Sequence, residues 1–169
     1  KLTPLRGQAS SHKGLAVFPR RINGRYAAIG RLDNEALYYL QSDDRFTWNY
    51  GKKIMAPKYL WELVQMGNCG APIEIDEGWL LLTHGVGAMR EYSMGVALLD
   101  KKDPSKVLGR SAEPFFTPID ETREGYVPNV DYTCGGLKVG PGLLLPYGVA
   151  DSAVRFISVT IEDLLSTLK

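Results

Sequence analysis

Three polar residues stand alone at the ends of apolar runs, and their types are those that hold ligands. Arg31 follows Ala27-Ala28-Ile29-Gly30, His84 follows Leu80-Leu81-Leu82-Thr83, and Asp151 follows Tyr147-Gly148-Val149-Ala150. A guanidinium is a permanent cation that compensates an oxyanion where water is excluded. A neutral imidazole can hydrogen-bond a hydroxyl or an oxyanion. A carboxylate accepts two hydroxyl bonds and can tell an axial group from an equatorial one. Each residue also has an ordinary reading: a solvated loop arginine, a core histidine satisfied by backbone, a turn aspartate.

Only a fold that gathers separate strand ends makes these three a site, and the chain has such a pattern. Short apolar runs rich in β-branched and aromatic residues are punctuated by Gly and Pro, and long helical periodicity is absent. A weak repeat runs through them. Its first unit is Gly14–Pro19, a turn at Asn23-Gly24, Arg25–Arg31, Ala36–Leu40 and the acidic turn Asp43-Asp44. The second is Gly70–Ile75, a turn at Glu77-Gly78, Trp79–Gly85, Tyr92–Asp100 and Asp103-Pro104. The third is Pro128–Gly135, a turn near Gly140-Pro141-Gly142, Leu143–Gly148, Ala153–Val159 and Glu162-Asp163.

Successive meanders of three or four strands are what β-propeller blades look like, with blades predicted near 13–55, 68–105 and 126–165. A β-sandwich also uses short strands and Gly turns. In a propeller, equivalent loops open on one face, so Arg31, His84 and Asp151 are predicted to converge at one mouth. The tail from Thr160 to Leu168 reads as a short helix capped by Thr160, and Lys58–Leu63 is ambiguous.

Composition narrows the ligand. Net charge is +1, from 20 basic and 19 acidic residues, with no charge block, so nucleic acid and anionic membrane are not expected partners. A neutral sugar suits this surface, and Trp61, Trp79 and Tyr126 could stack on one, core packing being the simpler role for Trp79. Trp48 reads as structural. No apolar run is long enough for a membrane span. Cys69 and Cys134 lack metal-ligand spacing, so no metal site is expected, and they fit burial or a reducing compartment. Lys1-Leu2-Thr3-Pro4 has neither an initiating Met nor a signal core; upstream residues and a cytoplasmic location are expected.

From about Lys13 to Leu165 the chain resembles glycoside hydrolase family 130, the β-mannoside phosphorylases and hydrolases. The resemblance rests on Val17-Phe18-Pro19, Asn23-Gly24-Arg25-Tyr26, Gly30-Arg31, Ser42-Asp43-Asp44, Gly70-Ala71-Pro72-Ile73 and Glu77-Gly78-Trp79-Leu80. It continues with His84-Gly85-Val86, Gly125–Val130 and Tyr147–Asp151, in that order. It implies an all-β fold, about three blades of a five-bladed propeller, with the remaining blades or another copy covering its open edges. It implies an oligosaccharide substrate, inorganic phosphate as co-substrate and no cofactor.

Arg31, Lys13 and His84 become the expected phosphate ligands. Asp151 matches a family aspartate that binds mannose hydroxyls, and Asn129, Tyr92 and Asp33 are further sugar-side candidates. Glu74 departs from a family Pro-Ile-Lys pattern. A carboxylate there repels phosphate and could activate water, which keeps a hydrolytic alternative open, with Glu74 as its catalytic residue. The family's general-acid aspartate lies in a Glu-Asp-Pro-Arg-like motif that this sequence lacks, so a non-catalytic sugar-binding fragment is a further alternative.

Overall fold

The structure is a computed structural model describing residues 2–119 and 125–169. It is mostly antiparallel sheet with one short helix at the C-terminal end. Three sheets follow one another along the chain. The first holds β1 (Ala16–Val17), β2 (Tyr26–Gly30), β3 (Leu37–Ser42) and β4 (Gly51–Met55) in chain order. The second holds β5 (Gln65–Asn68), β6 (Ile73–Glu74), β7 (Trp79–Val86), β8 (Tyr92–Leu99) and β9 (Val107–Arg110). Both β5 and β6 pair with β7, so they are two pieces of one interrupted edge. The third sheet repeats this device: β10 (Asp131–Tyr132) and β11 (Leu137–Val139) both pair with β12 (Gly142–Val149), which then pairs with β13 (Ala153–Thr160).

Side-chain alternation explains how the sheets stack. Every residue of β7 is buried. Trp79 and Leu81 face the first sheet, packing with Phe18, Ile29, Leu37 and Tyr39. Leu80 and Leu82 face the third, packing with Leu143 and Leu145. A strand covered on both sides reads as an unbroken apolar run, which is what Trp79-Leu80-Leu81-Leu82 is. In β12, by contrast, Leu143, Leu145, Tyr147 and Val149 are buried while Leu144 and Pro146 are exposed. The third sheet is therefore covered on one face only, and Val154 and Phe156 add to its bare side at 68% and 67% exposure.

The hairpin ladders set the repeat register. Ile22 N–H donates to the Arg25 carbonyl, Ile75 N–H to the Gly78 carbonyl, and Val139 pairs with Gly142. Arg25, Gly78 and Gly142 are thus equivalent, and Gly24, which the sequence aligned with the other two turn glycines, lies one position out of register.

The acidic turns are backbone clamps: Asp44 Oδ1 accepts from the N–H groups of Phe46 and Thr47, and Asp100 Oδ1 from those of Lys102 and Asp103. Trp48 is buried, its Nε1 donating to the Arg45 carbonyl at 3.0 Å. Helix α1 (Ile161–Ser166) is capped by Thr160, whose side chain accepts from Asp163 N–H. The ambiguous stretch contains only a 3-10 turn, Leu60–Glu62. Among the described residues no helix is long and apolar enough to cross a membrane.

That 3-10 turn is tied to the second sheet by a buried ion pair. Glu62, 1% exposed, accepts from the N–H groups of Lys58 and Tyr59 and pairs with Arg110 on β9, which also donates to the Ala56 carbonyl. Removing one partner strands the other charge away from water. We expect Glu62→Ala to lower stability by about 3–5 kcal/mol, and adding Arg110→Met to restore a large part of the loss. Urea midpoints of the two variants against the parent protein check this.

Candidate active site

Counting from the equivalent hairpin positions, Arg31, His84 and Gly148 occupy the same rung of the three sheets. Arg31 extends β2 by one residue, its N–H donating to the Lys13 carbonyl at 3.1 Å. His84 lies within β7, opposite Gly67, and Gly148 lies opposite Tyr132. Two of the three expected positions therefore sit at the same level. Asp151 is three residues past the third, at the exposed tip of the β12–β13 hairpin, with φ 52°. It shares the end of the sheets where Arg31 and His84 lie, because β10 joins its own sheet to His84 through Tyr132.

Arg31 and His84 meet over a bare glycine. A Cβ on Gly67 would lie 2.4 Å from His84 Cε1, 2.7 Å from His84 Nε2 and 3.3 Å from Arg31 Cζ. The imidazole and guanidinium thus rest on the same backbone. Gly14 continues this bed: a Cβ there would lie 3.0 Å from Asn68 Oδ1 and 3.4 Å from Arg31 Nε. Those two buried atoms have no hydrogen-bond partner among the described residues.

Aromatic rings wall in the histidine. Tyr92 stacks on it, with ring centroids 5.8 Å apart and planes at 18°, and Tyr132 meets it edge-on at 5.1 Å. His84 is only 4% exposed. Burial, and then the charge of Arg31, hold its pKa down to about 4, so the ring is neutral at neutral pH. Its Nδ1 lies 3.6 Å from the buried Cys69 sulfur. Burial pushes the Cys69 thiol far up, so it is protonated. Both cysteines are free.

The other candidates are placed as follows. Lys13 is exposed, and its backbone rather than its side chain has a described role, holding Arg31. Asn129 adopts a left-handed conformation, φ 64°, and its carbonyl accepts from Tyr92 N–H. With Trp61, Met89 and Ser93 it lines a cavity of about 490 Å³. Trp61 itself lies against Gly85 and Gly95, with Nε1 donating to the Ala112 carbonyl. Tyr126 is 88% exposed and Trp79 is buried.

Asp33 is occupied. Oδ1 accepts from the N–H groups of Glu35 and Ala36, Oδ2 accepts from the Tyr38 hydroxyl, and Lys53 pairs with it at 2.8 Å. These bonds hold its pKa well below the usual carboxylate range against the opposing effect of burial. Glu74 is likewise held, at the opposite end of the sheet. It pairs with Trp79 in the ladder, and Arg20 grips both its oxygens at 2.8 and 2.7 Å. Arg20 keeps its pKa below normal.

Gly14, Gly67, Asn68, Cys69 and Tyr132 were not picked out as site residues from the sequence. The signal available was the repetition of Asn68-Cys69-Gly70 as Thr133-Cys134-Gly135 on two successive inner edges.

The depressed pKa of His84 makes stability depend on pH. The unfolded ring takes a proton near pH 6.5 and the folded one only near pH 4. The contribution is therefore complete above about 6.5 and is lost as pH falls through about 4. We expect an acid-side loss of up to about 3 kcal/mol from this residue, absent in His84→Gln. Urea midpoints of both proteins from pH 7 to pH 4 give the difference.

The geometry can be set beside known proteins. The family described as beta-1,4-mannooligosaccharide phosphorylase, glycoside hydrolase family 130, matches residues 5–169. The beta-1,2-mannobiose phosphorylase of Thermoanaerobacter sp. (strain X514) is 41% identical over 145 residues, covering 85% of this chain and 48% of its own. The beta-1,4-mannooligosaccharide phosphorylase of Ruminococcus albus is 34% identical over 166 residues, covering 90% of this chain and 49% of its own. The solved structure of the beta-1,2-mannobiose phosphorylase of Listeria innocua in complex with beta-1,2-mannobiose superposes with a TM-score of 0.85 at 30% identity, over 92% of this chain and 46% of that one. The chain spans about half the length of these relatives. With a family match that runs almost from end to end, this chain belongs to glycoside hydrolase family 130.

Proposed function

We propose that the chain carries the phosphate-holding part of a β-mannoside phosphorylase, built on about three blades of a five-bladed propeller. The observation that carries this reading is the meeting of Arg31 and a neutral His84 over Gly67, at the end of the sheets where Asp151 also lies. A permanent cation beside a neutral imidazole leaves net positive charge for a phosphate to compensate, without the repulsion of a second buried cation. The names of the relatives, phosphorylases of mannobiose and of mannooligosaccharides, support it.

In the reaction, a phosphate oxygen bonds to the anomeric carbon as the mannosidic C–O bond breaks. The sugar leaves as mannose 1-phosphate with inverted configuration, and the departing oxygen takes a proton from a general acid that the family resemblance puts outside this sequence. Arg31 and His84 hold the phosphate, with Lys13 at the rim. Asp151, Tyr92 and Asn129 face the mannose. The bare face of Leu144, Pro146, Val154 and Phe156 is where the remaining blades, or another copy, would pack.

The hydrolytic alternative rests on Glu74 activating water. Arg20 occupies both oxygens of that carboxylate, so the phosphorolytic reading is the better supported.

In the intact enzyme, Arg31→Ala should raise the phosphate requirement roughly ten- to a hundredfold, the loss of a charge-assisted hydrogen bond of about 1.5–3 kcal/mol. Glu74→Ala should leave turnover nearly unchanged. The assay separates mannose from mannose 1-phosphate, with and without added phosphate, over β-1,2- and β-1,4-linked mannobiose. Free mannose released at the same rate in both conditions would refute phosphorolysis and promote the hydrolase.

A further inference from the structure

His84 has two ring nitrogens, and its use depends on which one carries the proton. With the proton on Nε2, the edge over Gly67 is a donor and converges with the guanidinium of Arg31 on an anion. With the proton on Nδ1, the same edge is an acceptor and suits a sugar hydroxyl instead.

We infer that the Cys69 thiol settles this choice: it donates its hydrogen to Nδ1 and so makes His84 a donor at Nε2. The contact is 3.6 Å, within reach for sulfur, between a fully buried thiol and a ring that is 4% exposed. The thiol is buried, so its hydrogen needs a destination inside the protein. Nδ1 offers one without water. On the other edge, no hydrogen bond from Arg31 to Nε2 forms, so that nitrogen is not acting as an acceptor for the guanidinium. Cys69 is therefore a positioning residue, one that never touches the ligand and acts through the tautomer of His84. Its value to catalysis rests on the phosphorolytic reading; the tautomer itself does not.

The experiment is nitrogen NMR of the intact protein labelled with 15N-histidine, with the His84 signals identified by their loss in His84→Gln. We expect the parent protein to show Nε2 protonated and Nδ1 bare. Cys69→Ala should lose that preference and Cys69→Ser should regain it through its hydroxyl. In parallel, Cys69→Ala should weaken apparent phosphate affinity roughly fivefold, the size of one neutral hydrogen bond, with KM for the mannoside unchanged and with rescue by Cys69→Ser. A proton on Nδ1 in the parent protein overturns the inference. So does an unchanged tautomer in Cys69→Ala. If the parent enzyme ignores phosphate altogether, the phosphorolytic reading fails while the spectra still decide the tautomer.

Discussion

Strand β7 lies between two sheets, with Trp79 and Leu81 against the first and Leu80 and Leu82 against the third. Full burial on both faces fixes its register, because a shift of one residue would exchange the sets of side chains that the two neighbours receive. His84 rides on this strand five residues beyond Trp79. Its position and desolvation are therefore consequences of the same packing that makes the core. The ring is neutral because the strand carries it under Tyr92 and Tyr132 and next to a guanidinium.

Close approach of the inner edges is the second requirement, and side chains would prevent it. Gly67 lets His84 and Arg31 share one patch of backbone, and Gly14 lets Arg31 and Asn68 share another. Methyl groups here would press into the side chains of His84, Arg31 and Asn68. The interrupted inner edges, β5 with β6 and β10 with β11, have a related effect. Where the ladder breaks, at Cys69–Pro72 and Thr133–Gly136, the Cys69 sulfur meets the His84 ring and the Thr133 hydroxyl meets backbone carbonyls. Thr133 Oγ1, for instance, donates within the break, with the carbonyls of Gly135 and Pro146 at 2.8 and 2.6 Å.

Much of this was legible in the sequence, for physical reasons. Apolar runs with Gly turns identify strands, and Trp79-Leu80-Leu81-Leu82 marks the strand buried on both faces. The meeting of Arg31 and His84 was legible because they interrupt such runs at one level of a repeat. Asp33 is a sugar-side candidate in the sequence because it lies two residues from Arg31; its Asx bonds and its pairing with Lys53 depend on how the β2–β3 loop folds back, which local spacing does not show. The third equivalent position proved to be Gly148 rather than Asp151, since the sequence shows turn glycines but not which hairpin residues are hydrogen-bonded. The cysteine beside His84 was invisible for the same reason: it belongs to another strand, and contact across a ladder leaves no mark in local spacing.

The two ends of the second sheet divide charge in opposite ways. At the Glu74 end, Arg20 lies over the Trp79 ring at 4.9 Å and binds the carboxylate with two parallel bonds, so cation, anion and aromatic face satisfy one another. At the His84 end, the corresponding elements are separated. An arginine and an aromatic pair are present, while Asp33 is held by its own loop and Asp151 is exposed at a hairpin tip. The far end of the sheet is internally neutralised, whereas at the near end Arg31 Nε and Asn68 Oδ1 have no partner among the described residues. Native structures keep such buried unmet groups rare because each costs about 1–3 kcal/mol, and the pair beside His84 is a physical asymmetry between this end and the Glu74 end.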